Sequence, residues 1–386
     1  MAFDELLEAL ESAGFPVIAY ADDAVVLVEG GSRRALEEGG AGVAGILEAW
    51  SASSKLEFCK SKSEWMLLKG HLDPRRGPHI VWGGQTMRGT QRVKYLGVTL
   101  TSGLRLGDHV EDVCERAKRA FFKVARLSGS GWGLTGDDLL VIYRGVFLGI
   151  LLYAVPAWWP VLSPRSILER RLGSAQRAVL LKVVRAYRTT SGAAVNVLAG
   201  VLPVRLEAAR RHAGYCIAKG LPFAVGGLTV DGAGAVATTK TELTEALLGE
   251  WQREWEEGST GRWTRRFFPS VRERLQLGAL PDFHLTQILG GHGDFRAKLW
   301  SLGLVEDPLC PQGDGEETAE HILRDCARFV SLRTKLEDAI FPAGGREDWT
   351  RYVLPTSIGP LREFARAVLD GKRGAGVGGE GEDGGL

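Results

Sequence analysis

Val17-Ile18-Ala19-Tyr20-Ala21-Asp22-Asp23-Ala24-Val25-Val26-Leu27-Val28 reads as strand, tight turn, strand. Apolar residues run into and out of Tyr20-Ala21-Asp22-Asp23, so two carboxylates share the tip of a hairpin held by buried β structure. Like charges that close repel, and burying them unpaired costs several kcal/mol. A divalent cation removes the cost, and oxygen ligands suit Mg²⁺. A plain Asp-Asp turn would use the same dipeptide. The aromatic Tyr20 and the uninterrupted flanks favour the metal-binding alternative.

The segment resembles the active-site hairpin of reverse transcriptases, and later residues extend the likeness. Lys60-Ser61-Lys62-Ser63-Glu64-Trp65-Met66-Leu67 is similar to the lysine-bearing strand that follows this hairpin in non-LTR retrotransposon polymerases. Val93-Lys94-Tyr95-Leu96-Gly97-Val98 is similar to their primer-grip turn. Further on, Trp251-Gln252-Arg253-Glu254-Trp255, Gly261-Arg262-Trp263-Thr264, Gly291-His292-Gly293-Asp294-Phe295 and the stretch from Cys310 to Cys326 stand in the order found in Pol polyproteins of arthropod type-1 retrotransposable elements. The resemblance runs to about residue 335. Each piece is weak by itself; the ordered set is strong.

That resemblance implies an α/β palm remnant, then a mostly helical thumb, then a small α-rich C-terminal module with a degenerate zinc-knuckle-like segment. Periodicity and composition place the boundaries. Residues 1–100 mix strand and helix signals, with strands expected at 64–68, 79–82 and 92–100 completing an α/β layer, and a helix at Leu36–Trp50 loosened by Gly39, Gly40 and Gly42. Residues 101–222 turn to a 3.6-residue period, with Asp108 and Glu111 as a capping pair and helices expected at 136–154, 164–187 and 204–219. Residues 223–240, rich in Gly, Ala and Thr, read as a linker. A nucleic-acid-binding module follows at 241–345, then a tail at 346–386, expected to be disordered from about 371, where the last sixteen residues hold eight glycines.

The 386 residues are 45% hydrophobic and 25% charged, ordinary for globular domains with cores of their own. The net charge of +1 hides a basic stretch: residues 101–220 hold 18 Lys+Arg against 8 Asp+Glu. Such a stretch is a polyanion surface or a set of solvated helix faces. Five scattered cysteines argue against a disulfide framework and for a reducing compartment, and no signal peptide is visible. The charge-free run at 145–164 is broken by Pro156, Pro160 and Pro164, so a buried core helix is expected there rather than a membrane span.

By resemblance, Asp22 and Asp23 hold the two Mg²⁺ ions of a polymerase, Lys62 is the general acid for pyrophosphate, and Tyr95, Leu96 and Gly97 position the primer end. Arg170, Arg171, Arg177, Lys182, Arg185 and Arg188 would track a phosphate backbone, joined by Arg262, Arg265 and Arg266. Trp251 and Trp255, four residues apart, read as helix core. The implied partners are an RNA template, a DNA primer and target DNA, and deoxynucleotide triphosphates, in the nucleus at the site of integration. The family also takes a third carboxylate from an upstream strand. Only nineteen residues precede Tyr20, and Asp4 is on a helix, so a C-terminal fragment inactive by itself is expected.

Related elements carry a Cys-x-x-Cys, His, Cys cluster suited to Zn²⁺. Here Cys310, His321 and Cys326 remain, while Gly313 stands where the second cysteine belongs. Either Asp314 or His292 fills the gap, or the module has lost its metal and packs Cys326 as a small apolar residue. The resemblance also implies a nucleic-acid-binding endonuclease region after the polymerase, as some accounts of the family describe it, but the spacing shows no nuclease centre. Two other readings compete with the polymerase fragment. One is a non-catalytic RNA- or DNA-binding protein derived from such an element. The other is a group II intron maturase, against which the Gly-His-Gly and Cys-His-Cys segments argue.

Overall fold

The computed structural model describes residues 2–70, 72, 77–129, 133–232, 239–278, 282–341 and 348–374. The chain divides into two compact units, Met1–His109 and Val110–Leu386.

In the first unit, helices α1 (Ala2–Ser12) and α2 (Arg33–Ser54) close over the hairpin of β1 (Val17–Tyr20) and β2 (Asp23–Val26). Leu6, Leu10 and Trp50 are its buried centre, with Phe3, Phe15, Val17, Val26 and Phe58 packed around them. The Ser32 hydroxyl caps α2 by accepting from the Ala35 N–H, and Lys55 ends it in the left-handed conformation. The glycines expected to loosen α2 do not interrupt it. They serve close approach instead: a Cβ on Gly39 would stand 2.5 Å from Val28, and one on Gly40 would stand 3.0 Å from Ile80.

The expected α/β layer is replaced by separate strand pairs. β3 (Glu64–Trp65) pairs in parallel with β6 (Arg88–Gly89), β4 (Val81–Trp82) with β5 (Gln85–Thr86), and β7 (Arg92–Tyr95) with β8 (Val98–Thr101). Gly83-Gly84 and Leu96-Gly97, all at positive φ, fold β4 onto β5 and β7 onto β8 as tight hairpins, and each pair remains a two-stranded sheet.

The second unit is helical. α3 (Gly107–Ala125), which begins in the first unit, buries Val110, Val113, Ala117 and Phe121. Asp108 lies inside its first turn and Glu111 pairs with Arg171, so the expected capping pair does not form. α4 (Gly136–Ile142) runs through a π-helical turn at Tyr143–Phe147 into α5 (Leu148–Leu151), and α6 (Val155–Trp158) restarts after Ala154 at Pro156. Leu148, Leu151, Val155 and Trp158 are buried in the protein, as the proline breaks predict. Among the described residues no single helix is long and apolar enough to cross a membrane.

α7 (Ile167–Val183), α8 (Gly192–Ala199) and α9 (Val204–Lys219) pack together. Buried Gln176 ties them: its amide donates to Tyr143 Oη and to the Leu202 carbonyl, each at 2.8 Å, and its oxygen accepts from the Val204 N–H at 2.8 Å. α8 was not expected from sequence, although Ser191 and Gly200 supply ordinary start and stop signals.

The expected linker is partly structured. β9 (Phe223–Val225) and β10 (Leu228–Val230) form a hairpin that buries Phe223 and Val225; the rest of that stretch, 233–238, lies outside the described residues. A Cβ on Gly226 would meet the Ala246 carbonyl at 2.5 Å, in helix α10 (Lys240–Glu257), which opens on a Thr239–Glu242 capping box. α11 (Arg262–Phe267), α12 (Val271–Gln276), α13 (Phe283–Gly290), α14 (Arg296–Ser301), α15 (Ala319–Arg324) and α16 (Val330–Ile340) follow. The expected tail contains α17 (Ile358–Gly374), which buries Leu361, Phe364, Val368 and Leu369 in contact with α13 and α16. Its amphipathic run is core rather than tail, and the glycine-rich residues 375–386 lie outside the described residues.

Two buried side chains join the expected thumb to the expected C-terminal module. The Arg274 guanidinium donates to the Leu198 carbonyl at 2.6 Å and the Leu277 carbonyl at 2.8 Å. Thr286 Oγ1 donates to the Val184 carbonyl at 2.9 Å. Replacing Arg274→Ala leaves buried carbonyls without a donor, at about 2–4 kcal/mol. Urea unfolding followed by tryptophan fluorescence should show the midpoint fall accordingly, and Arg274→Lys should recover only part of the loss.

Candidate functional site

The acidic hairpin is built in tight register. Tyr20 faces Asp23 and Val17 faces Val26, leaving Ala21-Asp22 as a two-residue loop with Ala21 at φ 53°. One face, through Val17 and Val26, packs on the Leu6–Leu10–Trp50 core. The other is open: Ile18 is 58% and Tyr20 67% exposed. The hairpin is therefore half-buried, not enclosed as the apolar flanks suggested. Asp22 and Asp23 stand side by side at the solvent-exposed tip. Among the described residues no third Asp, Glu, His or Cys joins them in a metal-binding group.

Lys62 is not on a strand. It lies exposed on the 3₁₀ turn Lys60–Lys62, because the extended run begins only at Glu64. Tyr95-Leu96-Gly97 does form the expected turn between β7 and β8, with Leu96 at φ 45° and Gly97 at φ 79°. Glycine accepts that geometry freely, whereas leucine adopts it at a cost of about 1 kcal/mol. The Tyr95 hydroxyl is buried without a hydrogen-bond partner among the described residues.

The nine arginine and lysine positions have different surroundings. Arg177 donates to the carbonyls of Thr190 and Arg188, and Lys182 to that of Ser128 at 3.0 Å. Arg185, at φ 53°, reaches the Leu134 carbonyl at 3.5 Å. Burial, with Arg185 nearby, holds the Lys182 pKa below its ordinary value. Arg265 closes the end of α10 by donating to the carbonyls of Glu256 and Gly258, over the Trp255 ring. Arg266 pairs with Glu320 and lies over Trp263 and Trp349. Arg171 is paired with Glu111, and Arg170, Arg188 and Arg262 are exposed. A second basic face, inside the expected basic stretch 101–220 but not singled out there by residue, runs along α3 through Lys118, Arg119 and Lys123 to Arg126. Its signal in the sequence is helical spacing on the side away from Val113, Ala117 and Phe121.

The C-terminal motifs pack on one another. Trp251 and Trp255 are buried, as expected, and a Cβ on Gly261 would press within 2.8 Å of Trp255. Trp263 donates to the Ile288 carbonyl at 2.7 Å, and a Cβ on Gly291 would stand 2.6 Å from its ring.

Cys310, Asp314, His321 and Cys326 place one ligand atom each within 4.8 Å of all the others. A tight loop makes this possible: Cys310 N–H donates to the Gly315 carbonyl and Gly313 N–H to the Cys310 carbonyl, both at 2.7 Å, with both glycines at positive φ. His321 comes from the first turn of α15, and the Cys326 N–H returns to the His321 carbonyl at 2.8 Å. The two sulfurs are 3.6 Å apart. Thiolates bound to one tetrahedral zinc at about 2.3 Å are about 3.7 Å apart, so the spacing fits. Asp314 Oδ1 lies 3.1 Å from His321 Nε2, and its other oxygen accepts from the Ala327 N–H at 2.7 Å. That N–H bond, more than the neighbouring Cys310 and His321, holds the Asp314 carboxyl below the usual range. Burial pushes the Cys310 thiol up to about 12. His292 lies outside the group, its pKa lowered by burial and by Lys298 and Arg177.

No family model and no solved structure matches the chain. Curated relatives do. The 115 kDa protein in type-1 retrotransposable element R1DM of Drosophila melanogaster is 33% identical over 323 residues, covering 82% of this chain and 31% of its own length. The Pol polyprotein from type-1 retrotransposable element R1 4 of Nasonia vitripennis is 29% identical over 381 residues, 92% of this chain and 95% of its own length. That of element R1 2 of the same wasp is 30% identical over 346 residues, 86% of this chain and 83% of its own. The chain belongs to the Pol polyproteins of type-1 retrotransposable element R1. It spans about a third of the Drosophila relative.

In this R1 chain the carboxylate of Asp314 joins Cys310, His321 and Cys326 in a sulfur–sulfur–nitrogen–oxygen donor set. Titration of the purified chain with Zn²⁺ against a chromogenic chelator should show one equivalent bound, more tightly as pH rises, because the thiol protons must leave. Asp314→Ala should weaken the site by about 10- to 100-fold, and Asp314→Cys should restore it.

Proposed function

We propose that this R1 chain is the C-terminal part of an RNA-directed DNA polymerase that copies element RNA into DNA during transposition. The supporting observation is the paired carboxylates at the β1–β2 tip of a chain from this family, followed in order by the Tyr95-Leu96-Gly97 turn. Bound Mg²⁺ would activate the primer hydroxyl and neutralise the triphosphate. Asp22 in the turn and Asp23 at the start of β2 are both exposed and would supply oxygen ligands to a cation without an uncompensated burial cost. Lys62 would donate a proton to departing pyrophosphate, and the turn at Leu96-Gly97 would seat the primer end against backbone. The C-terminal group Cys310, Asp314, His321 and Cys326 would hold a structural Zn²⁺, fixing the fold of a segment that handles template or target nucleic acid. These steps belong to the nucleus, at the site of integration.

A second reading, a non-catalytic nucleic-acid-binding protein from the same element, is favoured by one observation. Among the described residues, Asp22 and Asp23 have no third carboxylate beside them. Primer extension separates the two. The chain by itself, with template, primer, nucleotides and Mg²⁺, should extend nothing measurable. Exchanged for the matching segment of the 115 kDa Drosophila relative, it should support extension. Asp22→Ala in that chimera should cut the rate by about 10³-fold, about 4 kcal/mol of transition-state stabilisation. A chimera that folds and binds RNA but never extends a primer would favour the binding protein. Unchanged extension after Asp22→Ala would remove the metal assignment.

A further inference from the structure

Between α3 and α7 the second unit carries a groove of about 420 Å³ lined by Glu115, Lys118, Arg119, Phe122, Lys123 and Arg126, with Ala178 as its far wall. Four cations face one acid, and that acid is already paired: Glu115 and Lys118 are 2.7 Å apart. A second concavity, near Arg170, Arg177 and Arg205, is different. There Arg205 is bound by Glu169, Glu250 and Glu254, and Arg177 is committed to backbone carbonyls. In the α3 groove, among the described residues, Arg119, Lys123 and Arg126 have no acidic partner.

Its geometry suits a strand. Glu115, Arg119, Phe122 and Arg126 follow one stripe of the helix, eleven residues or about 16 Å from end to end. That length matches a stretch of a few nucleotides of one strand. Phe122 sits midway and is 36% exposed, while its neighbour Phe121 is fully buried and anchors the helix. The two rings meet edge to face at 5.5 Å, so Phe122 is a supported aromatic surface rather than a loose one. An aromatic face among cations is the arrangement on which an unpaired base stacks while its backbone is neutralised.

We propose that the α3–α7 groove seats a single-stranded stretch of nucleic acid, with phosphates on Lys118, Arg119, Lys123 and Arg126 and one base against Phe122. This rests on the reading of the chain as a part of a nucleic-acid polymerase, and it moves the main contact from α7 to α3. A sequence-independent, salt-sensitive grip follows, because every contact is to phosphate or to the face of a base.

The experiment is fluorescence anisotropy of labelled oligouridine, and of the same strand annealed to its complement, titrated with the full chain across a range of salt. Arg119→Gln/Lys123→Gln/Arg126→Gln should weaken single-strand binding tenfold or more and lower the log–log salt slope by about 2, at about 0.7 per neutralised phosphate. Phe122→Ala should cost the single strand roughly five- to a hundredfold and the duplex much less. Glu115→Gln, which removes the one acid, should tighten both, a gain that misfolding cannot imitate. If the unaltered chain binds and these variants bind as it does, the groove is not the seat. If Phe122→Ala has no effect and polyglutamate displaces the oligonucleotide as readily as polyuridine, the groove takes an acidic protein and the proposal fails. If the unaltered chain binds neither probe, the polymerase reading falls with it.

Discussion

The helical unit depends on a cation at the end of a helix. α8 ends with carbonyls that have no partner within the helix, and the Leu198 carbonyl is met by the buried guanidinium of Arg274, from a segment 76 residues further along. Gly200, at φ 65°, faces Arg274, and a Cβ there would approach its Nη1 to 3.3 Å. Burial lowers the Arg274 pKa to about 10, which still leaves the group charged near neutrality. A long sequence separation is thus closed by a charge-assisted bond rather than by apolar packing alone, and α12 and α13 are fixed to α7 and α8 as a result.

How legible this was in the sequence depended on the range of the interaction that decides each element. The β1–β2 hairpin and the Leu96-Gly97 turn are decided within a few residues, and both stand where the residues placed them. The buried pair Trp251 and Trp255 followed from helical spacing. The glycines of α2 misled because their role is tertiary: Val28 and Ile80 come close enough to exclude a side chain, and nothing local announces that. The same holds for residues 223–230, whose small residues suggested a tether. Phe223 and Val225 are enough to bury a hairpin once α9 and α10 are beside it. α17 was hidden by the glycine-rich sequence that follows it, although Leu361, Phe364, Val368 and Leu369 carry a clear helical period.

The metal-ligand group shows a different kind of legibility. Cys310, His321 and Cys326 could be picked by residue type, but whether Asp314 or His292 completes them is a matter of loop geometry. Gly313 and Gly315 turn the loop so that Asp314 points back at His321 while still accepting from the Ala327 N–H. A carboxylate anchored in that way is held in place before any ion arrives. It also makes the donor set harder than one with three sulfurs, which narrows the advantage of soft metals over zinc.

The hairpin at residues 223–230 has a consequence for how the two ends of the helical unit act together. A flexible tether between helices α3–α9 and the Cys310–Cys326 segment would let each move independently, with an effective concentration set by tether length. Here β9 is packed against α9 and α10, β10 is paired to β9, and Gly226 is pressed on the Ala246 carbonyl. If the α3 groove and the Cys310–Cys326 group both hold nucleic acid, as proposed, the two grips stand at a constant separation, like the jaws of a calliper. Such a body would discriminate by the length and bend of what lies between its grips.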